Sequence, residues 1–115
     1  MGTYKDLDIW KLSIDLTVRI YTLTKSFPKE ENYVLTHQIR KSSVSVPSNI
    51  AEGAGRKNKK ENLHFLNISV GSLTELETQL IIAERLDFCN STEALLLLGK
   101  LKSKLLNYMK YLRKT

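Results

Sequence analysis

Side chains able to do catalysis are few in this chain: two histidines, His37 and His64, and one cysteine, Cys89. Glu61-Asn62-Leu63-His64 has the Glu-x-x-His spacing that sets a carboxylate and an imidazole on one helix face, as in di-iron bundles. Such a centre needs that unit twice, with two further inward glutamates; the residue three before His37 is Val34. Two histidines and one cysteine cannot close a zinc site without carboxylates. Cys89 falls at a helix end with no base near it in sequence, which suits an idle thiol better than a nucleophile. Gly53-Ala54-Gly55-Arg56-Lys57 lacks the Gly-x-x-x-x-Gly-Lys-Ser/Thr spacing of a phosphate loop and follows a helix, not a strand. The serine run before Pro47 has no nucleophile elbow. The expectation is a non-enzyme with no metal and no cofactor.

Positive charge is more informative. The net charge is +6, and its placement is uneven. From Lys100 to Thr115 there are six basic residues (Lys100, Lys102, Lys104, Lys110, Arg113, Lys114) and no acidic one, which leaves 12 basic and 12 acidic residues elsewhere. A second knot is Arg56, Lys57, Lys59 and Lys60. Basic patches attract polyanions. Lysines on a last helical turn also suit the helix dipole, so the terminal run has a purely structural reading as well. The tight knot has less of one, because like charges so close repel.

The elements that must position these charges are helices. From Leu7 to Phe27, one apolar stripe reads Ile9, Leu12, Leu16, Ile20, Leu23, Phe27 and another reads Leu7, Trp10, Ile14, Val18, Tyr21, both at helical spacing. A surface helix of a small monomer needs one stripe. The second is expected to face another copy of the chain. Helix one is expected over Leu7–Ser26, stopped by Pro28. Helix two is expected from Glu30 and Glu31, with the stripe Ile39, Ser43, Val46, Ile50, Ala54. Pro47 inside it deprives the Ser43 carbonyl of its N–H partner; nearby serine hydroxyls are expected to re-satisfy it, giving a kink and not a break. Gly53 and Gly55 are expected to weaken the helix and open a turn. Helix three is expected to start at an Asn58/Glu61 capping box and run to about Leu86, apolar over more than half its circumference. After a turn at Asp87–Ser91, with a second box at Asn90/Glu93, helix four should bury Leu98, Leu101, Leu105, Tyr108 and Leu112.

With 115 residues, 42% apolar and 26% charged, the chain reads as one domain, residues 1–115. The lone cysteine suits a reducing cytosol, and the opening residues, with Lys5 and Asp6, carry no signal-peptide pattern. No run approaches the ~20 apolar residues of a membrane span. The expected fold is all-α, an up-down-up-down four-helix bundle, and the expected location is cytoplasmic. In that topology the turn between helices two and three lies beside both termini, so the two basic runs merge into one end.

The segments Asp6-Leu7-Asp8-Ile9-Trp10-Lys11, Phe27-Pro28, Gln38-Ile39-Arg40, Ser45-Val46-Pro47-Ser48-Asn49-Ile50-Ala51-Glu52-Gly53 and Gly71-Ser72-Leu73-Thr74-Glu75-Leu76-Glu77 occur in an order that resembles the small four-helix-bundle proteins encoded in intervening sequences of bacterial large-subunit ribosomal RNA genes. The resemblance spans nearly the whole chain, and Asn-Ile-Ala-Glu-Gly after Ser-x-Pro is its most specific part. That family is similar to the accessory variability determinant of diversity-generating retroelements, a basic pentameric bundle that binds nucleic acid and a reverse transcriptase. The resemblance implies a four-helix protomer, a cyclic pentamer and nucleic-acid binding, and it supplies no catalytic residue.

Two functions then compete. In the first, a homo-oligomeric ring assembled through Leu7, Trp10, Ile14, Val18 and Tyr21 presents Arg56, Lys57, Lys59, Lys60, Lys110, Arg113 and Lys114 to the phosphates of RNA or DNA, read by shape in the absence of a base-reading motif. Tyr111 is the candidate for base stacking, with a place at the edge of the core as its structural alternative. In the second, the bundle is a scaffold for a co-encoded protein such as a reverse transcriptase, without nucleic acid. A membrane partner is not expected, since helix four lacks a bulky aromatic edge. Asn49 and Glu52 are expected to be structural, and Glu77 and Glu84 to form ion pairs, within or between protomers, with Arg40, His37 or Arg19 as partners.

Overall fold

A computed structural model describes residues 2–115, and it is four α-helices with no strand among them. The chain enters through a short 3-10 turn, Tyr4–Asp6, closed by a reciprocal cap in which the Thr3 N–H donates to Asp6 Oδ2 (2.9 Å) and the Lys5 N–H donates to Thr3 Oγ1 (3.2 Å). Then follow α1 (Asp8–Thr24), α2 (Leu35–Ala54), α3 (Lys59–Arg85) and α4 (Thr92–Lys114).

Helix α1 packs on α2 and α4, and α3 does the same, while α1 and α3 share no face. The core between them is aliphatic. Leu16, Ile20, Ile39, Ile50, Leu66, Leu73, Leu76, Leu80, Leu98, Leu101, Leu105 and Met109 are essentially fully buried. Truncating one of these leucines to alanine removes buried methyl groups and leaves a cavity, a loss of about 2–5 kcal/mol. The overall extents are 46 × 22 × 22 Å. The long axis is set by α3, whose 27 residues span about 40 Å at 1.5 Å each.

The element boundaries differ from the sequence expectation for physical reasons. Helix α1 stops at Thr24, before Ser26. The Thr24 hydroxyl donates back to the Ile20 carbonyl at 2.8 Å, and Phe27 turns into the core against Phe88 (5.6 Å between centroids). Helix α2 starts at Leu35, not at Glu30. A separate 3-10 turn, Lys29–Glu31, comes first, and the Glu31 carboxylate accepts from the Leu35 N–H at 3.4 Å. Ala54 is exposed, and α2 buries Gly53 instead. Past Leu105 the fully buried position on α4 is Met109, while Tyr108 and Leu112 are half-buried.

Pro47 is buried within α2 and the helix runs through it. The Ser43 carbonyl that it orphans lies 3.0 Å from the hydroxyl of Thr17 on α1. The adjacent serines expected to meet it point elsewhere: Ser42 and Ser43 donate to the carbonyls of Gln38 and Arg40. A donor from the neighbouring helix takes their place.

Gly53 and Gly55 do not open the turn through a left-handed conformation, since no glycine among the described residues has positive φ. Gly53 serves close approach. A Cβ there would stand 2.7 Å from Asn62 Oδ1, 3.0 Å from the Asn62 carbonyl and 3.1 Å from Phe65 Cβ. Asn58 caps α3 as expected, its Oδ1 accepting from the Glu61 N–H at 2.9 Å and its Nδ2 donating to the Glu61 carboxylate at 3.1 Å.

The second box, at Asn90/Glu93, does not form. Asn90 Oδ1 accepts from the Thr92 N–H and hydroxyl, and Glu93 reaches α1 to pair with Arg19 at 2.7 Å. Ser91, the residue before α4, is held by Glu84 of α3, whose carboxylate accepts from the Ser91 N–H (2.9 Å) and hydroxyl (2.7 Å).

Candidate nucleic-acid interface

The first turn of α3 and the last turn of α4 meet at one end of the bundle. Lys59, Lys60, Leu63, His64, Asn67 and Arg113 line an open depression there. Two basic runs separated by some fifty positions of sequence thus share one surface. Lys59, Lys60 and Arg113 are exposed and carry no ion pair among the described residues. Lys57, Lys110 and Lys114 are exposed at the same helix ends without lining the depression. Lys110 is about one helical turn from Arg113 and Lys114.

Arg56 behaves differently from its neighbours. Its guanidinium pairs with Glu52 one turn back (3.1 Å) and lies 4.7 Å from the centre of the Phe65 ring. Both contacts are at the surface, and an exposed pair of this kind contributes about 0–1 kcal/mol. The arrangement holds Arg56 against the bundle and uses up the charge of Glu52, which would otherwise oppose the basic end. The Phe65 ring also meets His64 edge-on, at 77° and 5.3 Å.

Not all of the terminal basic run belongs to this end. Lys102 donates to Thr74 Oγ1 of α3 at 3.0 Å. Lys100 and Lys104 share a depression with Asp8, Lys11 and Asp15 of α1, where the carboxylates offset them. Tyr108 and Tyr111 stack at 6.3 Å and 29°. Burial, and then the neighbouring Tyr111, hold the Tyr108 hydroxyl above its usual range. Tyr111 is 62% exposed, so one of its faces is available to a base.

His64 and Asn67 join this surface although charge patterning does not mark them. The signal lies in their spacing, because residues 60, 64 and 67 follow the i, i+4, i+7 rhythm of one helix face.

The second stripe of α1 divides in two. Leu7 and Trp10 pack against their own core, with Trp10 edge-on to Tyr4 at 5.4 Å. Ile14 is half-buried, and Val18 and Tyr21 are 60% and 40% exposed. Val44 of α2, next to the Ser43 that meets Thr17, is exposed as well. Ile14, Val18 and Tyr21 thus form an outward apolar strip on α1, and Val18 also lines a depression with Leu97 of α4. Arg40 borders the strip, with Nε donating to Thr24 Oγ1 (2.9 Å) and the guanidinium 4.7 Å from the Tyr21 ring centre.

Within the protomer, and among its described residues, the expected carboxylate pairs do not form. Among the described residues Glu77, half-buried, makes no ion pair, Glu84 accepts from Ser91 before α4, and Arg19 and Arg40 have the partners just named. A polar seam instead joins α2 to α3. The Ser42 hydroxyl lies 2.8 Å from Glu75 and 3.0 Å from Gln79, Ser45 bonds Ser72 at 2.8 Å, Asn49 donates back to Ser45, and the Ser69 hydroxyl donates to the Val46 carbonyl. These contacts fix the register of α2 on α3, and they account for Asn49 as a structural residue.

Cys89 is half-buried, and desolvation, then the nearby Glu84 carboxylate, raise its pKa and keep it a thiol. Among the described residues no group of three or more His, Cys, Asp or Glu side chains converges as a metal site, and no helix is long and apolar enough to cross a membrane.

Fold and surface together define a small all-α protein with four packed helices and a cation-lined end. The chain belongs to the 23S rRNA-intervening sequence protein family, whose sequence model matches residues 5–108. No curated protein matches it.

Proposed function

We propose that this protein is a non-enzymatic, homo-oligomeric bundle of up-down-up-down topology that binds RNA or DNA through its basic end. The observation that carries the reading is the convergence of Lys59, Lys60 and Arg113 on one depression. Antiparallel neighbours are supported by the cross-helix pairs Thr17–Ser43, Ser45–Ser72 and Arg19–Glu93. Self-assembly is supported by the exposure of Val18, Tyr21 and Val44 beside the half-buried Ile14. A cyclic pentamer, as the resemblance implies, would repeat the basic end around a ring in the cytoplasm. Unpaired surface lysines and an arginine act on phosphates by charge and counterion release, so the binding is weakly dependent on sequence and strongly dependent on salt.

The test is fluorescence anisotropy with labelled structured RNA and duplex DNA at several salt concentrations, on protein of known mass. Each phosphate contact removed should lower the slope of log affinity against log salt by about 0.7–0.9. Lys59→Ala, Lys60→Ala and Arg113→Ala should therefore flatten the slope, and Lys102→Ala, bonded to Thr74, should not. Absence of binding at low salt would sink the reading and leave a scaffold for a protein partner.

A further inference from the structure

The depression at the basic end is distinctive in what it leaves out. Four other surface depressions of the bundle each include a carboxylate: Glu93, Asp15, Glu75, or Asp8 with Asp15. The one between α3 and α4 includes none. It brings together the three fixed cations of Lys59, Lys60 and Arg113, the imidazole of His64 and the amide of Asn67. Among the described residues none of these five side chains has an ion pair or hydrogen bond, whereas Arg19, Arg40, Arg56 and Lys102 all do. The nearest acidic neighbour in sequence, Glu61, is occupied by the Asn58 cap.

Three cations in one concavity exceed the single charge of a phosphodiester. A phosphomonoester carries about −1.5 to −2 at neutral pH and offers three strong acceptor oxygens. Charge-assisted bonds from arginine and lysine to such oxygens are the strong ones. The depression is about 430 Å³, within the roughly 300–1,000 Å³ of small-ligand clefts, so it has room for a terminal nucleotide. Leu63 supplies an apolar patch in its wall, and the exposed ring of His64 offers a surface on which a base can stack.

We infer that this depression is a terminal-phosphate site, taking the phosphomonoester at the end of a nucleic-acid strand. The inference rests on the basic-end reading and sharpens it: internal phosphates engage the surrounding lysines, and the strand terminus enters the depression.

The experiment compares one short oligonucleotide, internally labelled, in three forms: 5′-phosphorylated, 3′-phosphorylated and hydroxyl-ended. A nucleoside 5′-monophosphate serves as competitor, and circular dichroism checks that each variant folds. One phosphorylated form should bind about tenfold tighter than the hydroxyl-ended form, and which one it is identifies the end recognised. Arg113→Ala and His64→Ala should erase that difference, while Lys57→Ala weakens all three forms alike. Equal affinity for all three forms overturns the terminal-phosphate site and leaves the basic-end reading standing. Competitor binding that depends on Arg113, with no oligonucleotide bound, overturns both the strand-terminus site and the nucleic-acid reading and leaves a site for a free mononucleotide. No binding of any probe overturns both.

Discussion

The Thr17 hydroxyl of α1 lies 3.0 Å from the Ser43 carbonyl of α2, the group that Pro47 leaves without its backbone donor. The same hydroxyl is 2.9 Å from the Ser13 carbonyl in its own helix. With one proton it serves one acceptor at a time. A carbonyl left unmet at a buried helix contact costs about 1–3 kcal/mol, so this bond is what lets a proline sit inside α2. Thr17→Val should destabilise by about 1–2 kcal/mol. In a Pro47→Ala background, where residue 47 regains an N–H, the same change should cost less. Urea unfolding of the four proteins in a double-mutant cycle measures the coupling; strictly additive effects would remove Thr17 from this role.

The glycines separate by what surrounds them. Gly53→Ala drives a methyl group against the Asn62 carbonyl and Phe65, and overpacking of this kind costs about 1–3 kcal/mol. Gly71 and Gly99 lie in exposed parts of α3 and α4, where an added methyl group would meet nothing within 4 Å. Alanine at either should stabilise by about 0.4–1 kcal/mol, because a helical glycine gives up more backbone freedom on folding. Thermal melts of the three variants should move in opposite directions, down for Gly53→Ala and up for the other two.

This contrast shows which features of the bundle a sequence discloses. Helical spacing is a local property, so the four helices and most of their buried stripes are legible from Ile9 to Leu105. The shared basic end is legible too, since Lys59, Lys60 and Arg113 meet once the helices pack side by side. Gly53 reads as a turn former in sequence because its real constraint, the Asn62 and Phe65 wall, belongs to another helix. The Pro47 donor is sought among adjacent serines for the same reason. Glu84 looks like half of an ion pair, and only the path of the α3–α4 turn brings Ser91 to it.

That turn makes its own prediction at Asp87, the one described non-glycine residue with positive φ, at 61°. The Phe88 N–H donates to the Ala83 carbonyl (2.9 Å) and the Asp87 N–H to the Glu84 carbonyl (3.0 Å), the paired closure of a Schellman cap. The left-handed conformation costs an L-residue roughly 1–2 kcal/mol, and somewhat less for aspartate. Asp87→Gly should raise stability by about 0.5–1 kcal/mol, and Asp87→Val should lower it. Chemical denaturation resolves both signs, and a destabilised glycine variant would contradict the cap.

Glu84 gives the fold a pH dependence. Its hydrogen bonds from the Ser91 hydroxyl and N–H hold its pKa below the ordinary value of 4.5, against a smaller opposing effect of desolvation. A carboxylate with a depressed folded-state pKa adds stability that is present above the unfolded value and is lost as pH falls through the folded one. Melting temperature should therefore fall on acidification below about pH 4.5, and less steeply in Glu84→Gln and Ser91→Ala. An NMR titration of Glu84 should show its midpoint rising towards the ordinary value in Ser91→Ala. An unchanged midpoint would mean that the Ser91 bonds do not hold the charge.

The self-assembly surface can be tested without disturbing the core, because the two halves of the α1 stripe differ. Trp10 packs on Tyr4 and on its own bundle, so a charge there would unfold the protomer and say little about assembly. Val18 and Tyr21 face outward at 60% and 40% exposure, and glutamate at both leaves the core intact. Leu96 of α4 is more exposed still, at 71%, and is not part of the α1 strip. Light scattering of the parent should give a multiple of the 13.2 kDa protomer. Val18→Glu with Tyr21→Glu should reduce that mass while the far-ultraviolet dichroism stays helical, and Leu96→Glu should leave it unchanged. A parent of protomer mass would end the argument from the apolar strip, and a mass lost only with Leu96→Glu would move the interface to α4.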